Sequence, residues 1–230
     1  MMNCNSLITP LEVRRIFNQK EGRDLVNATT YKSLMGSLRY LTHTRPDLPF
    51  SVGFMENSLA EHLKCLKRVL RYIKGTLNFG LKYKKEKFVF ADFYDSDYGV
   101  DTEERKSTSG FCFFIGNSPV TWVSQKQIIV ALLSCEAEYI SLTLVACQGV
   151  WLVKFLKELT KIYFKSVKIQ FDNISAIELA KNPAFHSQLK HIKIRYHYVR
   201  NCVEDGEVEV AYVSMEKTKC RHSYKVSCKS

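Results

Sequence analysis

Residues 88–97, FVFADFYDSD, constrain the fold and the chemistry of this chain more than any other stretch. Their aromatic and β-branched residues are typical of a buried β-strand, and the strand runs into acidic residues that include Asp95 and Asp97. Ionised carboxylates in such a place are costly unless they are paired or bound to a metal ion. Asp95 is therefore a candidate metal ligand, and the alternative is a solvated turn after an ordinary strand.

Hydrophobic patterns and turn signals divide the following residues into short elements. Besides the strand that starts at residue 88, strands are predicted at 107–117, 119–127, 167–173 and 208–214, and helices at 134–160, 174–182 and 190–206. The order β-β-β-α-β-α-α-β predicts an α/β fold with a mixed five-stranded sheet and flanking helices.

Acidic residues recur at comparable places in this order. Asp95 ends the first strand, Glu136 and Glu138 lie in the first turns of the long helix, and Asp172 ends the fourth strand. We expect these ends to meet at one edge of the sheet, where carboxylates repel one another unless divalent cations hold them. Their oxygens suit Mg²⁺ or Mn²⁺, and two such ions could activate a water and stabilise the leaving oxygen of a phosphodiester.

The first part of the chain is basic and is predicted to be mostly helical. The net charge is +11, and its excess of lysine and arginine lies in residues 1–88 and 217–230. Residues 61–74 form a clear helical pattern with cations on one side, among which Lys67 and Arg71 are candidate phosphate contacts. An ordinary solvated helix surface is the alternative. Trp122 and Trp151 are predicted to be core aromatics.

Apolar runs and cysteines bound the cellular context. The apolar runs are shorter than the roughly 18–20 uninterrupted residues that span a bilayer, so no membrane partner is expected. The first residues lack a basic region followed by an apolar core, and the eight cysteines show no CxxC spacing. We expect reduced thiols and an intracellular protein, cytoplasmic or nuclear and not secreted.

Several long motifs resemble one known family, the Pol polyproteins of Ty1/copia-type retrotransposons. In the region after residue 88, the stretches that resemble its ribonuclease H domain are YDSDYG (94–99), RKSTSGFCFFIG (105–116), VTWVSQKQ (120–127), ALLSCEAEY (131–139), FDNISAIELAKNPAFH (171–186) and KHIKIRYHYVR (190–200). Upstream, residues 31–53 and 62–76 resemble the segment that joins this domain to the reverse transcriptase. The resemblance runs collinearly through roughly residues 8–215.

The resemblance implies an RNase H-like fold that cuts the RNA strand of an RNA–DNA hybrid with two divalent metal ions. It carries metal ligation to Asp95, to Glu138 with Glu136 as the near alternative, and to Asp172. It also implies a partner in RNA–DNA hybrid or other nucleic acid and an origin in a larger reverse transcriptase polyprotein. Candidate contacts to the hybrid, which could instead be surface or packing residues, are Lys126, Gln127, His191, Arg195, His197 and Arg200.

The end of the chain departs from the family pattern. The family ends in a segment similar to ADI-TK, whose aspartate is a fourth metal-site acid, whereas no acid follows Glu216 here. EKTKCRHSYK (216–225) can be encoded so that removal of one adenine yields EKQNADIATK, which suggests a frameshift. We therefore expect a lost final helix, a basic disordered tail and little or no nuclease activity.

These observations predict three segments and several possible roles. Residues 1–87 would be the connection remnant, 88–215 the RNase H-like domain and 216–230 the frameshifted tail. The leading function is a ribonuclease H with impaired activity. The alternatives are a non-catalytic nucleic-acid-binding remnant, an unselected translated transposon fragment, and a secreted interaction protein such as an effector, against which the missing signal counts.

Overall fold

The computed structural model describes nine stretches of the chain: residues 4–11, 27–53, 55, 60–83, 90–97, 106–163, 166–171, 173–181 and 193–213. They fall into two compact units. The first contains the described residues up to Tyr83 together with Ser124–Lys126, and the second contains the other described residues from Phe90 onward. The predicted tail and the question of its final helix lie outside the described residues.

Three helices form the first unit: α1 (Ala28–Leu41), α2 (Pro49–Gly53) and α3 (Ala60–Gly75). The Asn27 side chain caps α1 by accepting hydrogen bonds from the backbone N–H groups of Thr29 and Thr30. Apolar side chains of α1, α2 and α3 pack into one core. The helix predicted at 61–74 is confirmed. The short α2 begins at Pro49, and proline is tolerated at a first helical position.

A buried ion pair joins the loop after α1 to the end of α3. The Arg45 guanidinium donates to both carboxylate oxygens of Asp47, at 2.9 and 2.6 Å. It also donates to the carbonyl oxygen and the hydroxyl of Thr76, which follows α3, at 3.1 and 2.9 Å. The Tyr72 hydroxyl donates to Asp47 at 2.8 Å. Every partner of this cluster comes from the first unit.

The second unit begins with three strands: β1 (Phe90–Asp97), β2 (Thr108–Ile115) and β3 (Ser118–Lys126), of which the last three residues of β3 are grouped with the first unit. They are hydrogen-bonded in the order β1-β2-β3. β1 and β2 are antiparallel, in a register that places Asp95 opposite Gly110. The two-residue turn between β2 and β3 contains Gly116 at φ +62°, a conformation that glycine adopts readily.

The remaining elements are α4 (Ser134–Thr160), β4 (Val167–Phe171), α5 (Ile174–Lys181), α6 (Lys193–Glu204) and β5 (Val208–Tyr212). β4 and β5 form a parallel pair. β4 also lies beside β1, so the three-stranded and two-stranded groups are neighbours through these strands. The predicted α/β fold and its β-β-β-α-β-α-α-β order are confirmed.

The long helix α4 is the centre of the second core. It packs against β1, β2 and β4, and its buried residues join those of the strands in one apolar cluster. Gly149 lies at a close approach of this helix to the sheet. A Cβ there would lie 2.8 Å from Val167 Cγ1 and 3.2 Å from Phe113 Cζ.

By length and composition alone, α4 is the one described helix that could cross a membrane. In the structure, 61% of its most apolar window is buried inside the protein. A mostly buried core helix passes the same test, so this is weak evidence for a membrane span.

Candidate active site

The three predicted metal-binding acids lie on elements that adjoin one another. Asp95 occupies the sixth position of β1, and Glu138 is a partly exposed residue in the second turn of α4. Asp172 directly follows β4 and lies outside the described residues, as does the side chain of Asp95. Both α4 and β4 are neighbours of β1. The backbone thus brings together the strands and the helix that carry these acids.

Among the side chains that the structure describes, no group of three His, Cys, Asp or Glu residues could hold a metal ion. Glu138 is the one predicted ligand in that set. The geometry of the three carboxylates relative to one another therefore stays a prediction.

Glu136 and Glu138, the two alternatives for the glutamate ligand, have different surroundings. Glu136 is fully buried, and its Oε2 accepts the backbone N–H of Leu132 at 2.7 Å. Leu133, with extended backbone, occupies the N-cap of α4 and makes no side-chain capping bond. Ser134 is the first residue of the helix. Glu136 thus stabilises the entry into α4, whereas Glu138 is the more accessible carboxylate.

Gln127 was predicted to contact a nucleic acid, but its side chain lies inside the protein at 5% exposure. Its Nε2 donates to Ser109 Oγ at 3.0 Å, to the Ala137 carbonyl oxygen at 2.8 Å and to Ser141 Oγ at 3.1 Å. The hydroxyls of Ser109 and Ser141 also hydrogen-bond to each other. This arrangement, which we call the amide–hydroxyl cluster, uses the donor end of Gln127 internally and speaks against the predicted contact.

The other predicted hybrid contacts are distributed over β3 and α6. Lys126, the last residue of β3, is partly buried. On α6, Arg195 is partly buried, His197 is exposed, and Arg200 pairs with Glu204 at 2.6 Å. His191 lies outside the described residues. No ligand contact of these residues has been observed, so their role stays a prediction.

The basic side of α3 is partly occupied by the N-terminal segment 4–11. Arg71 Nε donates to the Asn5 carbonyl oxygen at 2.8 Å, and Lys74 Nζ donates to that of Cys4 at 2.9 Å. Arg68 Nη2 donates to Thr9 Oγ1 at 3.0 Å. Lys67 is exposed. Of the two cations predicted to contact phosphates, Arg71 thus already has a partner within the chain.

Thiol chemistry is disfavoured at two buried cysteines of the second unit. Burial raises the pKa of the Cys112 thiol on β2 to about 12 and also raises the pKa of Cys202 on α6. Both are therefore protonated at neutral pH, and the reactive and metal-binding form of cysteine is the thiolate. All six described cysteines are free, as predicted.

One aromatic prediction is wrong. Trp151 is not a core residue, since it is 55% exposed on the outer side of α4 and stacks on Phe155 with 5.2 Å between ring centroids. Trp122 is partly buried and packs against Cys112 and Phe114. α4 is apolar on most of its circumference, so its sequence pattern did not reveal which side faces solvent.

No protein-family model matches the chain. It is 37% identical over 219 residues to the retrovirus-related Pol polyprotein from transposon RE1 of Arabidopsis thaliana. It is 34% identical over 225 residues to that from transposon TNT 1-94 of Nicotiana tabacum. Each alignment covers 93% of this chain but only 15% and 17% of the relative, so the chain spans about a sixth of their length.

A shorter relative and a solved structure extend the comparison. The chain is 39% identical over 128 residues to secreted RxLR effector protein 161 of Plasmopara viticola, which covers 53% of this chain and 90% of that protein. RNase H1 from the archaeon Halobacterium salinarum superposes with a TM-score of 0.40 at 11% identity, over 56% of this chain and 89% of the other.

Proposed function

Because the chain belongs to the family of retrovirus-related Pol polyproteins of copia-type transposons, we propose that its RNase H-like domain derives from a metal-dependent nuclease for RNA–DNA hybrids. In this proposal the domain comprises residues 88–215, and residues 1–87 are a remnant of the connection to a reverse transcriptase. The activity is endonucleolytic hydrolysis of the RNA strand, and it is impaired in the present sequence.

The observation that carries the proposal is the adjacency of β1, α4 and β4, each of which bears or precedes a predicted acid. Glu138 is partly exposed, whereas Glu136 is buried and engaged with Leu132, which supports Glu138 as the ligand. A set of three carboxylates, Asp95, Glu138 and Asp172, has the hard oxygen donors that Mg²⁺ or Mn²⁺ prefers. The residues present thus fit a divalent metal site.

In this site the three carboxylates would hold the cations, which when bound would supply activation of a water and charge stabilisation of the leaving oxygen. The protein's own task is to keep mutually repelling acids together on fixed backbone elements. Contacts to the phosphates of a hybrid would position the strand without reading its sequence. The candidates that stay compatible with this role are Lys67, Lys126, Arg195, His197 and Arg200, with His191 outside the described residues.

The proposed impairment comes from the end of the chain. Residues 217–230 contain no acidic residue, so a fourth carboxylate corresponding to the family's ADI-TK segment is missing from this stretch. Fewer negative ligands weaken the binding of a divalent cation. We propose that a single-base insertion near Lys217 changed the reading frame, which sequencing of the gene tests directly.

A cleavage assay with a labelled RNA–DNA hybrid tests activity and impairment together. We expect little or no turnover with Mg²⁺ or Mn²⁺. A second form of the chain, in which residues 216–225 are replaced by EKQNADIATK, should cleave the hybrid, and Asp172→Asn in that form should abolish cleavage. Efficient, Asp172-dependent turnover by the unaltered chain would refute the impairment. Inactivity of both forms in the presence of hybrid binding would favour the non-catalytic binding remnant.

The effector relative supports a second candidate, a secreted interaction protein. The chain covers most of that relative's length at 39% identity. We propose an intracellular location, cytoplasmic or nuclear, as the first choice. Expression of the chain with a C-terminal tag, followed by quantification in cells and in medium, separates the two, and accumulation in the medium would favour the effector.

A further inference from the structure

The backbone of Gln127, independently of its side chain, connects the end of β3 to the start of β2. Its backbone N–H donates to the Ser107 carbonyl oxygen at 2.8 Å. The backbone is therefore fixed to the residue just before β2. Only 5% of Gln127 is exposed, so its amide faces other protein groups and not solvent.

The amide of Gln127 then connects β2 with α4. Nε2 donates to Ser109 Oγ on β2 at 3.0 Å, and to the Ala137 carbonyl oxygen and Ser141 Oγ on α4 at 2.8 and 3.1 Å. The Ala137 carbonyl can only accept, which identifies the donating nitrogen of the amide. Oε1 is buried and has no hydrogen-bond partner among the described residues. Thus it is the donor end that the fold uses.

Two residues that accept hydrogen bonds from Gln127 are adjacent in sequence to a predicted metal ligand or to the strand partner of one. Ala137 immediately precedes Glu138, so the carbonyl that Gln127 binds belongs to the peptide bond that joins Ala137 to Glu138. Ser109 immediately precedes Gly110, the register partner of Asp95. One amide thereby links the α4 backbone that carries Glu138 to the β2 position that faces Asp95.

We propose that Gln127 is a positioning residue of the candidate active site. Its amide fixes the first two turns of α4 against β2, and so fixes the backbone of Glu138 relative to the strand position of Asp95. The inference rests on the proposed function, because it concerns the same metal site. Groups that orient metal ligands from behind typically change metal affinity about 10- to 100-fold when they are removed.

A titration of the full chain with Mn²⁺, in which electron paramagnetic resonance measures the free ion, tests this role without relying on turnover. Gln127→Met keeps the side-chain length and removes the hydrogen bonds. We expect about tenfold weaker Mn²⁺ binding in this variant. Thr143→Val is the matched control, because Thr143 is also buried and its hydroxyl bonds only within α4 in the described contacts, to the Tyr139 carbonyl oxygen at 3.0 Å. Its Mn²⁺ affinity should equal that of the unaltered chain.

The outcomes separate the two levels of the argument. If the unaltered chain binds Mn²⁺ with an affinity that Asp172→Asn reduces, and Gln127→Met binds equally well, the positioning role is wrong and the metal site stands. If Gln127→Met and Thr143→Val weaken binding equally, the effect is general destabilisation and the positioning role is again wrong. Absence of saturable binding by the unaltered chain overturns the metal site and the positioning role with it.

A second variant covers the case in which Gln127→Met does not fold. Ser141→Ala removes one of the three acceptors and leaves Gln127 bonded to Ala137 and Ser109. We expect a smaller loss of Mn²⁺ affinity than in Gln127→Met, since part of the connection survives. An unchanged affinity in folded Ser141→Ala would contradict the proposal.

Discussion

The two units of the protein bury different kinds of polar groups. In the first unit, the interior contains a charged pair, Arg45 and Asp47, with side-chain exposures of 6% and 2%. In the second unit, the amide–hydroxyl cluster of Gln127, Ser109 and Ser141 is neutral. The charged pair has further hydrogen bonds to Thr76 and Tyr72, whereas the neutral cluster leaves Gln127 Oε1 without a hydrogen bond among the described residues.

This difference indicates different roles. Arg45 holds its carboxylate in a two-point contact, binds Thr76 beyond the end of α3 and lies over the rings of Tyr72 and Phe79. Such a complete set of contacts fixes a loop to a helix end. The neutral cluster has an imperfect balance of donors and acceptors, and it lies next to the predicted ligands. Natural proteins depart from such rules mainly at functional sites.

The largest effect should follow from breaking the charged pair. Arg45→Met leaves the buried Asp47 carboxylate uncompensated, which typically costs about 3–5 kcal/mol in the free energy of unfolding. Urea unfolding, with hydrogen exchange of α1 and α3 as the local readout, measures this loss. The exposed pair Lys161–Glu158 provides the control, since Lys161→Ala at an exposed ion pair should cost well under about 1 kcal/mol.

A double variant sharpens this prediction. Arg45→Met combined with Asp47→Leu removes both buried charges, and replacement of a buried pair by apolar residues is often close to neutral. We expect the double variant to recover much of the stability that Arg45→Met loses. If it is as unstable as the single variant, the hydrogen bonds from Arg45 to Thr76 carry the stabilisation and the charge pairing does not.

An intermediate effect should distinguish the helix packing of the units. Gly149→Ala places a methyl 2.8 Å from the stiff Val167 side chain, and overpacking of this kind costs about 1–3 kcal/mol. In α1 of the first unit, Gly36 has nothing within 4 Å of a built Cβ, so Gly36→Ala should stabilise by up to about 1 kcal/mol. Thermal unfolding of both variants tests the opposite signs. A neutral Gly149→Ala would mean that the sheet yields to the helix.

The sequence was sufficient wherever the signal is local. The predicted bounds of α4 agree with the structure at both ends, because polar residues, SCE at the start and KELT at the end, flank its apolar run. The leucines of α3 repeat at the helical period and mark its buried side. The order of strands and helices after residue 88 followed from short apolar runs separated by turn residues.

The interior polar groups could not be predicted because each depends on a partner far along the chain. Gln127 follows a lysine at a strand end, a pattern typical of surface residues, and only α4 residues ten and more positions later bury it. Arg45 and Asp47 lie in a proline-containing turn that favours exposure, and they are enclosed by Tyr72 and Thr76. Asp95, Glu138 and Asp172 were predicted from strand ends and the first turns of a helix as well as from the family resemblance, and the positions of their carboxylates relative to one another stay a prediction.

The last prediction concerns pH, which should affect the stability of the first unit more than that of the second. Burial raises the pKa of Tyr31, whose hydroxyl donates to the Met55 carbonyl oxygen at 3.0 Å, from 10.0 to about 12. Because the folded pKa is the higher one, its stabilising contribution is complete below pH 10 and is lost as the pH rises from 10 to 12. At pH 11 the loss should be on the order of 1 kcal/mol. The amide and hydroxyl groups of the cluster around Gln127 do not titrate in this range.

Hydrogen exchange at pH 9 and pH 11, corrected for the intrinsic rates, should therefore show α1 losing protection more than the first turns of α4. Tyr31→Phe should reduce the difference, although Tyr72, whose pKa is also raised by burial, keeps part of it. Equal loss of protection in α1 and α4 would mean that the two units unfold together.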